Sequence, residues 1–435
     1  MRIGLIAMSG VRVRNAELAR VGVTLPQFVN RGKVIASLPS LGLLTVAGLT
    51  PPDVDVVYRE IAEPGPDEPL DGFDLVGISS YTAQIDEAYA LADRYRASGV
   101  PVVLGGLHVS LLPDEAAEHA DSIVLFGAER AWPRLLADYR AGRLRPRYEG
   151  LRAGVFEDPW YAKPRFELLR GRSYNRVTVQ TSRGCPLNCE FCAASLRITS
   201  SFQQKPVERV VAEIREALKV TDRPFFELAD DNTFINRKWG KELLRAIRPL
   251  GIRWFTETDV SIADDEELLD LLADSGCRQV LIGFESPGGE ALEGLDPHNW
   301  KKDRSGRYLE AIDRIQSRGV TVNGCFIVGL DGHGPDIFER VRDFVHISGL
   351  LEVQITVQTP FPGTPLYKRL RGEGRLLSER FWDRCTLFDV TYRPRGMTVE
   401  ELESGLRWLF SEVYSEGEFT RRKRRYMEIV KERIH

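Results

Sequence analysis

The chain's 435 residues are enough for two or three domains, each with its own core. With 43% hydrophobic residues, 28% charged residues and a formal net charge of −4, it lacks the basic excess of a nucleic-acid partner. No apolar run reaches the roughly 18 residues of a membrane span. Six cysteines are too few for a disulfide scaffold, and three of them fall within eight residues. That grouping points to metal ligation in a reducing compartment, so a cytoplasmic protein is expected.

The opening MRIGLIAMSG reads as a first β-strand rather than a secretory signal. Over residues 1–145, strands are predicted at Arg2 to Met8, Val54 to Tyr58, Leu75 to Ser80, Val102 to Gly106 and Ser122 to Phe126, with helical patterns between them. Such alternation implies an α/β, flavodoxin-like domain with a parallel sheet covered on both faces. Residues 146–171, with FEDPWYAKPRF, read as a linker. A second alternating series fills residues 172–370, its strands beginning near Arg176, Pro224, Arg253, Gln279, Val320 and Glu352. Six strand–helix units predict a partial (β/α)6 barrel. Residues 371–435 are expected to form a C-terminal helical segment, ending in RRKRRYMEIVKERIH, which reads as a solvated basic helix end.

A parallel strand buried on both faces should be a continuous apolar run. The barrel strands alternate instead: Val177 and Val179 with Thr178 and Gln180; Val322 and Phe326 with Asn323 and Cys325; Val353, Ile355 and Val357 with Gln354, Thr356 and Gln358. If the apolar set faces the helices, the polar set lines the interior. Gln180, Asn323, Gln354 and Gln358 are therefore candidate substrate-binding residues in a polar cavity.

TSRGCPLNCEFCAAS follows the first barrel strand, at the end where such barrels carry their active sites. Cys185, Cys189 and Cys192 can ligate three irons of a [4Fe–4S] cubane and leave the fourth open. A zinc knuckle is the competing reading, but it wants a fourth ligand, and no Cys or His follows Cys192 within eighty residues. An iron–sulfur electron carrier would not need a six-stranded barrel with a polar interior.

With this motif the barrel half resembles the radical S-adenosylmethionine (SAM) superfamily. The supporting segments are ELADDN (Glu227 to Asn232), FTETD (Phe255 to Asp259), LIGFES (Leu281 to Ser286), CFIVGLDG (Cys325 to Gly332) and QTPFPGTPLY (Gln358 to Tyr367). They resemble the members that carry an N-terminal cobalamin-binding domain. The resemblance implies that SAM binds the open iron and is cleaved to a 5′-deoxyadenosyl radical. It also implies that Glu227, Asp231, Glu257 and Glu285 contact the SAM ammonium and ribose, roles that suit carboxylates. Phe191 is placed beside the adenine. Asp231 and Cys325 are candidate catalytic residues, the latter as a hydrogen-atom donor, whereas Cys277 and Cys385 read as structural.

Residues 1–145 resemble the cobalamin-binding fold through LPSLGLLTVAG (Leu38 to Gly48), Ser79 to Thr82, Gly105-Gly106 and Gly127-Ala128-Glu129. The D-x-H-x-x-G pattern that supplies a lower cobalt ligand in many such domains is missing. His108 reads as a turn residue, and cobalamin is left open. The missing pattern and the acid-rich lumen favour radical dehydration of a small polyhydroxylated, aminosugar-like substrate, as in the aminoglycoside diol dehydratases. Cobalamin-dependent methylation is the alternative. Either would take electrons from a donor such as flavodoxin, and a separate NAD(P)H-dependent reductase is a further candidate partner.

Overall fold

The computed structural model describes residues 1–20, 38–65, 72–194, 197–222 and 224–434. These divide into two compact units. The first holds Met1–Arg12, the described part of residues 38–186, and Ala193–Pro224; the second holds residues 13–20, Leu187–Cys192 and the chain from Phe225 onward. Among the described residues no helix is long and apolar enough to cross a membrane.

The first unit is built on a parallel sheet of β1 (Arg2–Met8), β2 (Asp55–Ile61), β3 (Leu75–Ser79), β4 (Val102–Gly105), β5 (Ser122–Leu125) and β6 (Arg147–Glu149), in spatial order β2-β1-β3-β4-β5-β6. Six of the seven residues of β1 are buried, as its unbroken apolar run predicts for a central parallel strand. The covering helix Ile85–Ala97 turns Ala88, Tyr89, Leu91, Ala92 and Tyr95 inward. It carries Asp86 and Glu87 at its start and Arg94 and Arg96 at its end, each complementing the helix dipole. The strand order reverses between β1 and β3, and ligands of such sheets bind beyond the strand ends at that switch.

β6 lies inside the stretch expected to be a linker. Only Tyr148 of its three residues is buried, its hydroxyl donating to Asp138 at 3.1 Å, so it shows no periodic pattern. The same unit contains β7 (Val177–Val179) and an antiparallel pair, β8 (Ser182–Arg183) with β9 (Gln203–Gln204).

The second unit carries β10 (Phe225–Leu228), β11 (Arg253–Thr258), β12 (Cys277–Glu285), β13 (Thr321–Val328) and β14 (Glu352–Val357), parallel and adjacent in chain order. Each strand predicted for the barrel forms near its expected start. The Tyr414 hydroxyl accepts from Ile355 N at 3.1 Å and donates to Val353 O at 3.0 Å, which blunts the edge strand β14. The C-terminal segment is helical only from Val399, where Thr398 and Glu401 form a capping box. Before it, residues 373–397 contribute a 3-10 turn at Trp382–Arg384 and a bridge between Leu376 and Tyr392, because Gly374, Pro394, Gly396 and short polar runs carry no helical period.

Candidate functional site

The cysteine loop leaves regular structure at Gly184, whose φ of 92° is one that side-chain-bearing residues rarely adopt. A Cβ there would stand 3.0 Å from Thr199 Oγ1 and 3.1 Å from Ser201 O, so glycine also permits the close approach. Cys185 and Cys192 are half-buried and Cys189 is buried, and no described cysteine forms a disulfide. Cys192 N donates to Cys189 O at 3.2 Å, closing a tight turn between these two.

Among the described residues no three His, Cys, Asp or Glu side chains are gathered as one metal ion would need. A cubane asks for a different spacing, because each thiolate takes its own iron. Three thiols on one short loop therefore fit such a cluster as a donor set.

Within the second unit the loop is anchored through Glu190. Its N–H donates to Leu295 O at 3.0 Å and its carbonyl accepts from Leu366 N at 3.1 Å. Arg369 grips its carboxylate at 2.7 and 3.1 Å and also reaches Asp331 at 2.6 Å. Phe191 is half-buried.

Glu227 is half-buried on β10 and Glu257 is exposed on β11. Asp231 lies three residues beyond the end of β10, so strand parity does not set its direction. Next to it, Asn232 donates to Asp259 at 2.7 Å and ties the loops after β10 and β11 together.

Glu285 is only 6% exposed and has a φ of 63°. The pairing of β12 with β13 slips between Gly283 and Glu285, so this carboxylate is aimed by a bulge rather than by regular alternation. Its Oε1 lies 2.8 Å from Lys301 Nζ, which also donates to Gly283 O at 2.8 Å. A Cβ on Gly283 would stand 2.3 Å from Glu285 Oε1 and 3.3 Å from Lys301 Nζ, so only glycine leaves room for this pair.

Cys325 on β13 lies in register with Gln354 on β14. Burial pushes its thiol pKa up, and Glu285 and Glu257 push it further, so the sulfur keeps its proton. Glu257, Glu285, Cys325 and Lys301 thus share one electrostatic neighbourhood. Asn323 (1% exposed) and Gln358 (2%) are buried, while Gln354 is half-buried. Gln180 belongs to the first unit, where its Oε1 accepts from Arg183 Nη2 at 3.0 Å and Nε at 3.3 Å. Burial raises the thiol pKa of Cys277 and of Cys385, as expected of structural cysteines.

Two buried residues of this region escape sequence reasoning: Lys301 and His333. The latter is 2% exposed, with Nε2 3.1 Å from Ser286 Oγ. Leu330 N–H donates to its Nδ1 at 3.3 Å, which makes Nδ1 an acceptor and places the proton on Nε2. Burial, and secondarily Arg340, lowers its pKa to about 4. The unfolded chain then binds this proton near pH 6.5 while the folded chain refuses it. The stability is therefore present above pH 6.5 and lost as pH falls towards 4. Thermal unfolding should show the wild type losing about 2 kcal/mol between pH 7 and pH 5 that His333→Gln does not lose. Parallel pH profiles of the two would refute it.

At the strand ends of the first unit, Ser79, Gly105, Gly106 and Gly127 present almost no side-chain bulk. Gly106 has a φ of 110°, and a Cβ there would stand 3.1 Å from Ser79 Oγ, so both the backbone and the close approach of β3 and β4 require glycine. His108 is buried on a short helix, with Nδ1 3.2 Å from Thr82 Oγ1 and Nε2 3.6 Å from the Glu115 carboxylate. It is part of the packing, rather than the turn residue expected.

A radical SAM superfamily model matches residues 179–345, a B12 binding domain model residues 29–136, and a domain of unknown function, DUF4070, residues 364–435. Bacteriochlorophyllide d C-12(1)-methyltransferase of Chlorobaculum tepidum is 27% identical over 87% of this chain and 83% of its own length. The C-8(2)-methyltransferase of the same organism is 29% identical over 86% and 85%, and the hopanoid C-2 methylase of Rhodopseudomonas palustris 28% over 80% and 67%. Among solved structures, the cobalamin-dependent SAM radical enzyme OxsB superposes with a TM-score of 0.70 over 98% of this chain and 72% of that one, at 13% identity. The radical SAM methyltransferase TsrM of Kitasatospora setae gives 0.63 over 86% and 78%, at 18% identity; at such identities the likeness is one of fold. The chain is a radical SAM enzyme with an N-terminal B12-binding domain, and its cofactors are a [4Fe–4S] cluster and SAM.

Proposed function

We propose that the protein is a cobalamin-dependent radical SAM methyltransferase. The observation that carries this is the run of methyltransferase relatives aligned across both domains, over 79% to 87% of the chain for the first three. It outweighs the dehydratase expectation, which rests on the missing D-x-H-x-x-G and the acid-rich lumen. That absence removes one residue that could bind cobalt and leaves the small strand-end residues Ser79, Gly105 and Gly106 in place to hold the cofactor.

In this reading Cys185, Cys189 and Cys192 hold the cluster. Glu227, Asp231, Glu257 and Glu285 accept hydrogen bonds from the SAM ammonium and ribose, and Phe191 packs against the adenine. Asn323, Gln354, Gln358 and Gln180 orient the substrate, and the protonated Cys325 thiol stands ready as a hydrogen donor. Cobalamin, held at the ends of β1 and β3 to β5, would supply the methyl group. A flavodoxin-type protein supplies the electron.

The test needs no known substrate. The full chain, loaded anaerobically with cluster and cobalamin, is given SAM and dithionite. S-adenosylhomocysteine, the product left when SAM gives up its methyl group, is expected at about one equivalent per bound cobalamin. Formation of 5′-deoxyadenosine with no S-adenosylhomocysteine would reject the methyltransferase reading.

A further inference from the structure

Lys301 is the buried charge that the proposed roles leave unused. It is 7% exposed and sits in the short helix Trp300–Arg304. Asp296 fixes that helix by accepting from Trp300 N at 2.9 Å and Lys301 N at 3.2 Å. The neighbouring Leu295 O receives the N–H of Glu190, the residue after Cys189. The segment that carries the lysine is therefore bonded to the chain that carries the cysteine. Burial alone would lower the Lys301 pKa, but attraction to Glu285 and to Cys189 outweighs it, and the ammonium stays charged.

Burying an ion costs several kcal/mol unless its partners compensate. Three local departures from ordinary strand structure make this burial possible: the bulge in β12, the left-handed backbone at Glu285, and the bare Cα of Gly283. A lysine needed only for packing would call for none of them. Glu285 and Gly283 O are its acceptors among the described residues, and Cys189 on the loop bonded to this segment interacts with its charge.

We propose that Lys301 is a positioning charge that sets the reduction potential of the iron–sulfur cluster, balanced by Glu285 beside it. The proposal rests on the reading that Cys185, Cys189 and Cys192 hold that cluster. Reduction adds one electron, supplied by a one-electron donor protein in function and by dithionite in the test. The thiolate-bound cluster is already negative, so a fixed cation nearby favours the added electron. An anion opposes it.

The experiment is a redox titration of the reconstituted full-length chain without SAM, read by the electron paramagnetic resonance of the reduced cluster. For Lys301→Met the ratio of reduced to oxidised cluster at a fixed applied potential should fall about tenfold, equivalent to about 59 mV for a one-electron couple. Lys301→Arg should stay near the wild type, and Glu285→Gln should shift the ratio in the opposite direction. A Lys301→Met protein with full iron and sulfide content and an unchanged potential would overturn the proposal. If that variant does not retain its cluster, Glu285→Gln decides, and a potential equal to or below that of the wild type overturns it. A wild-type chain that takes up no cluster would be seen before any titration, and would sink the cluster reading itself.

Discussion

Cys189→Ala should strip the protein of its cluster and reduce SAM cleavage to background, whereas Cys277→Ala and Cys385→Ala should keep both. The contrast follows from where the thiols lie. Cys189 is on the loop after β8, its carbonyl held by Cys192 N at 3.2 Å, and the next residue is clamped by Arg369. A cubane held by three thiolates has no spare protein ligand, so losing one releases iron rather than weakening a contact. Cys277 at 1% exposure and Cys385 at 4% are buried, with thiols that burial keeps protonated. Removing their sulfur should cost about 1 to 2 kcal/mol of stability through lost packing. Iron and sulfide analysis of reconstituted protein, with chromatography of 5′-deoxyadenosine, checks both arms. Wild-type levels of 5′-deoxyadenosine from Cys189→Ala would overturn the cluster assignment.

The elements legible in the sequence are those whose chemistry repeats along the chain. β1 and the strands of the second unit announce themselves by apolar runs or alternation, and the cysteine loop by its spacing. β6 escapes because a three-residue edge strand with one buried side chain has no period to detect. The direction of Asp231 cannot be read from strand parity, because β10 ends at Leu228 and alternation ends with it. Glu285 was found through its motif, but its orientation depends on a bulge and a left-handed backbone that parity cannot represent. Lys301 lies sixteen residues farther along, in a polar stretch resembling any exposed helix start, and only the fold turns its ammonium back to that carboxylate. Long-range ion pairs of this kind leave no local signature.

Glu213→Ala should destabilise the protein by about 3 to 5 kcal/mol, more than any other single ion-pair deletion considered. Lys205 is 3% exposed and Glu213 is fully buried, and the ammonium reaches both carboxylate oxygens at 2.7 Å. Tyr161 donates to Glu213 Oε1 at 2.9 Å, and the ring centroid of Phe156 lies 5.2 Å from Lys205 Nζ. Burial first, and Glu213 next, raise the Tyr161 pKa, so the phenol remains a donor. Deleting the carboxylate removes the group that meets Lys205 Nζ at 2.7 Å and the acceptor of the Tyr161 hydroxyl, and both losses fall on the folded state. Replacing both partners with apolar residues of similar volume, Lys205→Met with Glu213→Leu, removes the buried ion pair as a whole. The double variant should recover most of the loss, and thermal unfolding of the two single variants and the double variant measures the coupling directly. The position of the pair raises the stakes. Lys205 N donates to Thr181 O at 2.9 Å, four residues before Cys185, so the buried ion pair braces the strand from which the cysteine loop departs. Glu213→Ala should therefore also lower iron uptake on reconstitution, and the double variant should restore it. A Glu213→Ala protein as stable as a surface substitution, or a double variant as unstable as the single one, would show that this pair does not hold the strand in place.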